Sequence, residues 1–499
     1  MSISLLLEMA ASSDQDRTAV VSDELRFTTG ELSALADGGA GVIAASGARS
    51  VAYVGTGGAM LPLLLFAAAR AGVPLTPLNY RLSGDRLREL IDRLPDPLLI
   101  SDDEYRNAAG ASVRRALGSG EFVTAARASE PLSLSPDPED IAVVLFTSGT
   151  TSRPKAVELT HNNLVSYITG TVEFAGAQPE DVALICVPPY HIAGVGAALS
   201  NLYAGRKMVY LRSFTPEEWI RLVNTEAVTT ATVVPTMLDR IVGALSATPT
   251  PLPTLRNLAY GGSKVALPLV RKALDLLPEV GFVNAYGLTE TSSTIAVLTP
   301  DDHRAARAST DEDVRKRLGS VGQAVPGIEV QIRSEQGAVL PAGQPGELYV
   351  RGPQVSGKYT GIGSVLDAEG WFPTKDLAVL DAEGYLFVHG RSDDTIIRGG
   401  ENIAPAELED VFVEHPDVHE VAVVGVEDAE WGQIIVAVVV PTAGTTPDPE
   451  ALRTHIRNNL RGSRTPDRVV FRDHLPTTPT GKVLRRELVA ELTLEPADQ

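Results

Sequence analysis

The densest chemistry in the chain lies in one stretch, Thr147, Ser148, Gly149, Thr150, Thr151, Ser152, Arg153, Pro154 and Lys155. Five hydroxyls, one glycine and one terminal lysine fall within these nine residues. Backbone N–H groups and hydroxyls in such a loop can wrap a polyphosphate, and the lysine supplies positive charge. The spacing is not the G-x-x-x-x-G-K-[ST] of a P-loop. A polar turn is the plain alternative. A second stretch, Phe282 to Glu290, reads F-V-N-A-Y-G-L-T-E. Tyr286 offers a flat π-face, Thr289 a hydroxyl, and Glu290 a hard oxygen of the kind Mg²⁺ prefers beside phosphate. Gly261 and Gly262 end the run L-A-Y-G-G and let backbone approach a flat ligand. His191 follows two prolines that break a strand. A histidine there is as readily satisfied by backbone as used in chemistry.

These groups need elements to hold them. Ile141 to Phe146 is an apolar run that reads as a buried strand. Thr160 reads as the N-cap of a following helix, so the polar loop is expected to join strand to helix. Upstream, short apolar runs such as Val51 to Val54 and Leu98 to Ile100 alternate with helical patterns at Met60 to Ala71 and Gly84 to Leu94. That alternation implies layered α/β sheets. From Gly319 to about Val388, period-two runs separated by turns suggest a small antiparallel β subdomain. The remainder reads as a small α+β domain, with strands at Val421 to Val426 and Ile434 to Val440 and an amphipathic helix from Pro449 to Leu460.

At 499 residues, two or more domains are expected. A net charge of −20 argues against a general binder of nucleic acid or anionic membrane. Cys186 is the only cysteine, which fits a reducing cytoplasm. The N-terminus has no basic segment typical of a signal peptide. The most apolar run, Met60 to Ala69, is far short of the roughly 20 residues of an integral membrane segment.

The stretch 147–155 resembles the phosphate-binding loop of the adenylate-forming superfamily, of approximate form T-S-G-T-T-G-x-P-K-G-V. Ser152 and Ala156 stand where that family usually has glycine, which predicts a stiffer loop. The Tyr286-to-Glu290 stretch, about 135 residues later, is a second match. The segments around Asp376, around Gly390 to Ile403, and around Gly481-Lys482 complete the order. The chain is identified as a suspected acyl-CoA synthetase of that superfamily.

The resemblance implies a large N-terminal domain, residues 1–391, a hinge at 392–393 with Asp393 as pivot, and a mobile C-terminal lid, 394–499. It implies ATP, Mg²⁺ and coenzyme A as cofactors, and a carboxylic acid substrate. Lys482 would be catalytic, with His191 beside the acyl carboxylate and Glu290 on the metal. Nucleotide contacts would come from the loop residues Thr147, Ser148, Gly149, Thr150, Thr151 and Lys155. Gly261 and Gly262 would lie along adenine and the acyl group, Tyr286 against adenine and Thr289 on phosphate, with Asn284 and Gly287 also in the nucleotide site. Asp376 would accept the ribose hydroxyls, a role that needs a two-oxygen acceptor, with Arg391 beside it. Gly399 and Gly400 would line the thiol channel. Lys375 replaces a family glycine, and its ammonium is open either to Asp376 or to a phosphate. Lys264 after the glycine turn is expected to be solvated, with a substrate contact as the alternative. The absence of an acidic residue between Pro188 and Gly196 disfavours an amino-acid substrate. Two alternatives remain: a ligase loading an acyl carrier protein, and a non-catalytic nucleotide-binding relative. The resemblance leaves a homodimer open.

Overall fold

The computed structural model describes residues 1–23, 25–110, 115–147, 154–428, 430–460, 462–478 and 481–494. Ser148 to Arg153, which include most of the polar loop, lie outside the described residues.

Two large sheets form the N-terminal part. One has the strand order 323–324, 293–298, 281–288, 257–261, 230–233, 182–185, 207–210, 18–22 and 25–28. Its central strands pair in parallel, and 293–298 runs antiparallel to 281–288. The other has the order 363–364, 358–359, 155–160, 141–147, 75–78, 50–54, 97–101 and 116–118. Helices cover and separate the sheets. Every residue of Met60–Arg70 is buried, which is why that helix is apolar all round. Its one cation, Arg70, bonds Asp37 at 3.0 Å and the carbonyl oxygen of Ser33 at 2.7 Å, so the buried charge is paired. Helix Thr29–Ser46 starts in a capping box of Thr28 and Glu31 and stops at Gly47.

The expected antiparallel β subdomain is present, in the order 329–333, 346–351, 372–380 and 386–391. Beyond it, 418–428, 432–441 and 468–471 make a small sheet. Helices Pro405–Phe412, Pro449–Asn459 and Arg485–Leu494 accompany it. Among the described residues, the buried cores of the N-terminal part contain nothing past Leu386, and those of the C-terminal part begin at Ile396. The molecule is a large domain of layered α/β sheets with a small β subdomain, followed by a small α+β domain.

One local expectation changes. Lys155–Thr160 is a strand, antiparallel to Ile141–Thr147, and only then does Thr160 cap helix His161–Thr171. The polar loop therefore closes a hairpin and does not lead straight into a helix. The residues explain this: Val157 and Leu159 are fully buried, in the period-two pattern of a strand. Ala156 falls inside that strand, opposite Phe146, so its methyl packs in the sheet and does not stiffen the loop.

Candidate active site

The hairpin of 372–380 and 386–391 sets Asp376 directly opposite Arg391. Arg391 Nη1 lies 3.7 Å from Asp376 Oδ1. The Tyr286 hydroxyl donates a short hydrogen bond to Asp376 Oδ2. The Asp376 N–H donates to Thr374 Oγ1 at 3.1 Å, which fixes the strand under the carboxylate. Asp376 is only 6% exposed. Burial pushes its pKa up, while Arg391, the Tyr286 hydroxyl and Lys482 oppose that rise. Burial and the adjacent carboxylate push Tyr286 well above its ordinary value, so it stays a donor.

Lys482 comes to this carboxylate from the other domain. It sits at the end of a tight turn in which Gly481 has φ +78°. The Lys482 carbonyl accepts from the Thr478 N–H at 2.7 Å, and its own N–H donates to Thr478 Oγ1 at 3.0 Å. Residues 477 and 483 bridge across the turn. Lys482 is exposed to solvent, yet protein crowds its ammonium. Desolvation and Arg391 lower its pKa, and Asp394 and Asp376 oppose them.

Glu290 stands on a short 3₁₀ turn, Thr289–Thr291. Its Oε1 accepts from the Tyr359 hydroxyl at 2.9 Å. The Lys155 ammonium lies 5.4 Å over the Tyr359 ring. One tyrosine therefore meets both Glu290 and Lys155, the last residue of the polar stretch. Among the described residues no three ligating side chains form a metal cage. A single carboxylate such as Glu290 fits Mg²⁺ bound chiefly through substrate phosphates.

The glycine wall is made by close approach. A Cβ on Gly261 would lie 2.2 Å from the Ala285 carbonyl oxygen. Asn284 donates to the Ser320 carbonyl at 3.2 Å. His191 caps helix Ile192–Ala204, with Nδ1 accepting from the Ala193 N–H at 3.2 Å. Burial lowers its pKa to about 4, so the ring is neutral near pH 7. Gly399 and Gly400 are left-handed and close the two-residue hairpin 396–398 to 401–403. Asp393 lies in the 3₁₀ turn Ser392–Asp394 between the two sets of cores. Thr147 is the last residue of its strand, and Ser148, Gly149, Thr150 and Thr151 lie outside the described residues.

Two lysines have partners that the sequence did not point to. The Lys375 ammonium pairs with Glu347 at 3.2 Å and not with Asp376, and its side chain stays about half exposed. Its φ is +65°, at an irregularity in the pairing of 346–351 with 372–380. A bulge residue in the left-handed region favours glycine, which accounts for the glycine seen in the resembled family. Lys264 keeps solvent access, and its Nζ also lies 2.6 Å from Asp410 Oδ2 on helix Pro405–Phe412. Tyr359, Glu347 and Asp410 were not singled out from the sequence.

A polar loop beside a Glu–Tyr–Lys set, a buried carboxylate–tyrosine–arginine set and a lysine carried in by a second domain define an adenylate-forming enzyme. Residues 7–360 match the AMP-binding enzyme family, and residues 407–482 match the AMP-binding enzyme C-terminal domain. The chain belongs to the AMP-binding enzyme family, and it is an AMP-forming acid–thiol ligase. It is 32% identical over 454 residues to a fatty acid–[acyl-carrier-protein] ligase of Streptomyces coeruleorubidus, covering 88% of this chain and 86% of the relative. It is 34% identical over 484 residues to a feruloyl-CoA synthase of an Amycolatopsis species, covering 94% and 95%. Among solved structures, ATP-bound MatB from Rhodopseudomonas palustris superposes with a TM-score of 0.87 at 27% identity, over 99% of both chains. The apo form of the same protein superposes at 0.78 over the same coverage. The arrangement seen here is closer to the nucleotide-bound form of that neighbour.

Proposed function

We propose that the chain activates a carboxylic acid with an apolar tail and one carboxylate, and passes it to coenzyme A. The carrying observation is the meeting of Lys482 with the Asp376–Tyr286–Arg391 set across the two domains. In the first half-reaction a substrate carboxylate oxygen bonds to the α-phosphorus of ATP. The bond from that phosphorus to the bridging oxygen breaks, and pyrophosphate leaves. A carboxylate is a weak nucleophile, so the protein contributes positioning and charge. Lys482 bridges the carboxylate and the α-phosphate. Asp376 accepts the ribose hydroxyls, Arg391 steadies that carboxylate, and Tyr286 presents its ring to adenine. The loop 147–155 holds the outer phosphates. Glu290 would hold Mg²⁺, which when bound neutralises phosphate charge.

In the second half-reaction the thiol loses its proton to solvent, its sulfur bonds to the acyl carbon, the bond from that carbon to the phosphate oxygen breaks, and AMP leaves with the bonding electron pair. The neutral His191 stands at the carboxylate end of the acyl site, and Gly399 and Gly400 line the thiol's approach. Residues 394–499 form the lid, and the turn at 392–393, with Asp393, is its hinge.

The apolar, single-carboxylate reading rests on the walls. Helix Ile192–Ala204 opens with small and apolar residues, and a Cβ on Gly196 would touch Tyr167 and Ser293 at ordinary contact distance. Lys264, the cation near the glycine wall that could meet a second carboxylate, is engaged by Asp410. A second reading, transfer to a carrier-protein phosphopantetheine, is favoured by the fatty acid–carrier ligase among the relatives. AMP release measured over a panel of fatty, aryl and dicarboxylic acids, with coenzyme A or a loaded carrier protein as acceptor, tests both. A clear preference for dicarboxylates overturns the substrate reading, and turnover only with the carrier overturns the acceptor.

A further inference from the structure

Several contacts cross between the domains. Lys264 follows the glycine turn that ends strand Asn257–Gly261. Its ammonium lies 2.6 Å from Asp410 on the C-terminal domain. On the helix Pro235–Ala247, Asp239 lies 3.9 Å from His419 of the same partner domain. One turn earlier, Thr236 packs against Gly481, next to Lys482: a Cβ on that glycine would come within 2.9 Å of the threonine methyl. The catalytic turn and the Lys264–Asp410 pair are thus two points of one docking surface.

Asp410 has no local reason to be acidic. It sits in the last turn of helix Pro405–Phe412, where the helix dipole disfavours a negative charge. Lys264 supplies the compensating cation only while the two domains hold this arrangement. His389 lies near both partners and near Glu407, and its pKa is held down by desolvation and by Lys264, so it adds no competing positive charge near neutral pH. Both partners keep solvent access, with side chains 44% and 54% exposed. The pair can therefore open without burying a bare charge.

We infer that Lys264 and Asp410 form an electrostatic latch between the domains. It holds Lys482 over the nucleotide for acyl-AMP formation and opens before the thiol step. Both are positioning residues, because neither touches the reacting atoms. The inference rests on the two-step reading above and adds a chain-specific device to it. The latch starts three residues after Gly261, so the wall along the ligand and the grip on the lid are one short segment.

The test uses the full chain with the acid that gives fastest AMP release in the panel. Lys264→Glu, Asp410→Lys and the charge-swapped double variant are assayed in single turnover for each half-reaction. Each single variant is expected to slow acyl-AMP formation about three- to tenfold, the scale of a solvent-accessible pair. Neither slows thioester formation from pre-made acyl-AMP. The double variant recovers to within about twofold, and molar salt shrinks the single-variant effect. Unchanged acyl-AMP formation in both singles overturns the latch, as does equal loss in both half-reactions without rescue in the double. Lys482→Ala run alongside separates the two levels. If it forms acyl-AMP normally, the two-step reading itself fails; if it does not, only the latch is on trial.

Discussion

The two sides of the active site are built in opposite ways. On the N-terminal side, Asp376 is buried, opposed by Arg391 across a strand pair, bonded by Tyr286 and braced by Thr374. Every group there is held by sheet register. On the C-terminal side, Lys482 stands on a tight turn bridged between residues 477 and 483, next to Gly481, which packs on Thr236 of the other domain, and it feels Asp376 and Arg391 there through charge. The contrast teaches a division of labour. Under the proposed function, the side that recognises one nucleotide in both half-reactions is rigid, and the charge needed in only one is mounted on the domain proposed to turn away.

The sharpest way to break that contrast is Lys482→Ala. Losing a preorganised charge from an active site costs roughly two orders of magnitude or more. Acyl-AMP formation is expected to fall by that much, while conversion of pre-made acyl-AMP with coenzyme A stays nearly unchanged. Rapid-quench assays of the two halves measure this directly. Equal loss in both would show that the lysine is not a removable part.

Next comes the rigid side. Asp376→Ala removes the acceptor and leaves Arg391 without its cross-strand anion, so the ATP KM is expected to rise about ten- to a hundredfold, the range for losing hydrogen bonds to a charged group. Tyr286→Phe, which deletes one bond to that carboxylate, is expected to cost several-fold at most. If Tyr286→Phe matches Asp376→Ala, the tyrosine hydroxyl and not the carboxylate carries the recognition. Asp393→Pro probes the joint between the two sides. Proline fixes φ and restricts Ser392. Thioester formation is expected to drop about tenfold or more, with acyl-AMP formation largely kept.

Much of this architecture was legible in the sequence, and the reason is local. The strand at Ile141, the cap at Thr160 and the β subdomain all follow from periodicity and capping or turn chemistry within about ten residues. The missed parts are long-range pairings of ordinary side chains. Tyr359 reaches Glu290 across 69 positions, and Asp410 reaches Lys264 across 146. Neither tyrosine nor aspartate there has a spacing that marks it. The polar loop's partner strand was missed because Lys155 to Thr160 is short and its hydroxyl and charged residues masked the alternation of buried Val157 and Leu159.

Acid offers a smaller, global contrast. His161 is 2% exposed, and burial lowers its pKa to about 4, as it does for His191. Both folded values lie below the ordinary 6.5, so the unfolded chain takes up protons first as pH falls. Their contribution to stability is full above about pH 6.5 and is lost progressively toward pH 4. A thermal-melt series should show stability declining across that window. His161→Gln should flatten the decline, and an unchanged slope would assign it to other groups.

The smallest effect sharpens the comparison most, because it separates strain from function within the rigid side. Lys375 holds a left-handed φ of +65° beside Asp376 and pairs with Glu347, away from the ribose acceptor. Glycine adopts that backbone without a Cβ penalty, so Lys375→Gly relieves strain of roughly 1 kcal/mol, offset by the lost Glu347 pair, worth about 0 to 1 kcal/mol at a partly exposed site. Net stability is expected to change by less than about 1 kcal/mol, read by denaturant melts. The ATP KM should change by less than about tenfold, since Asp376 keeps Arg391, Tyr286 and Thr374 as its supports. A hundredfold rise would mean that the lysine reaches the nucleotide after all, and that the bulge is part of the recognition surface and not a strained corner beside it.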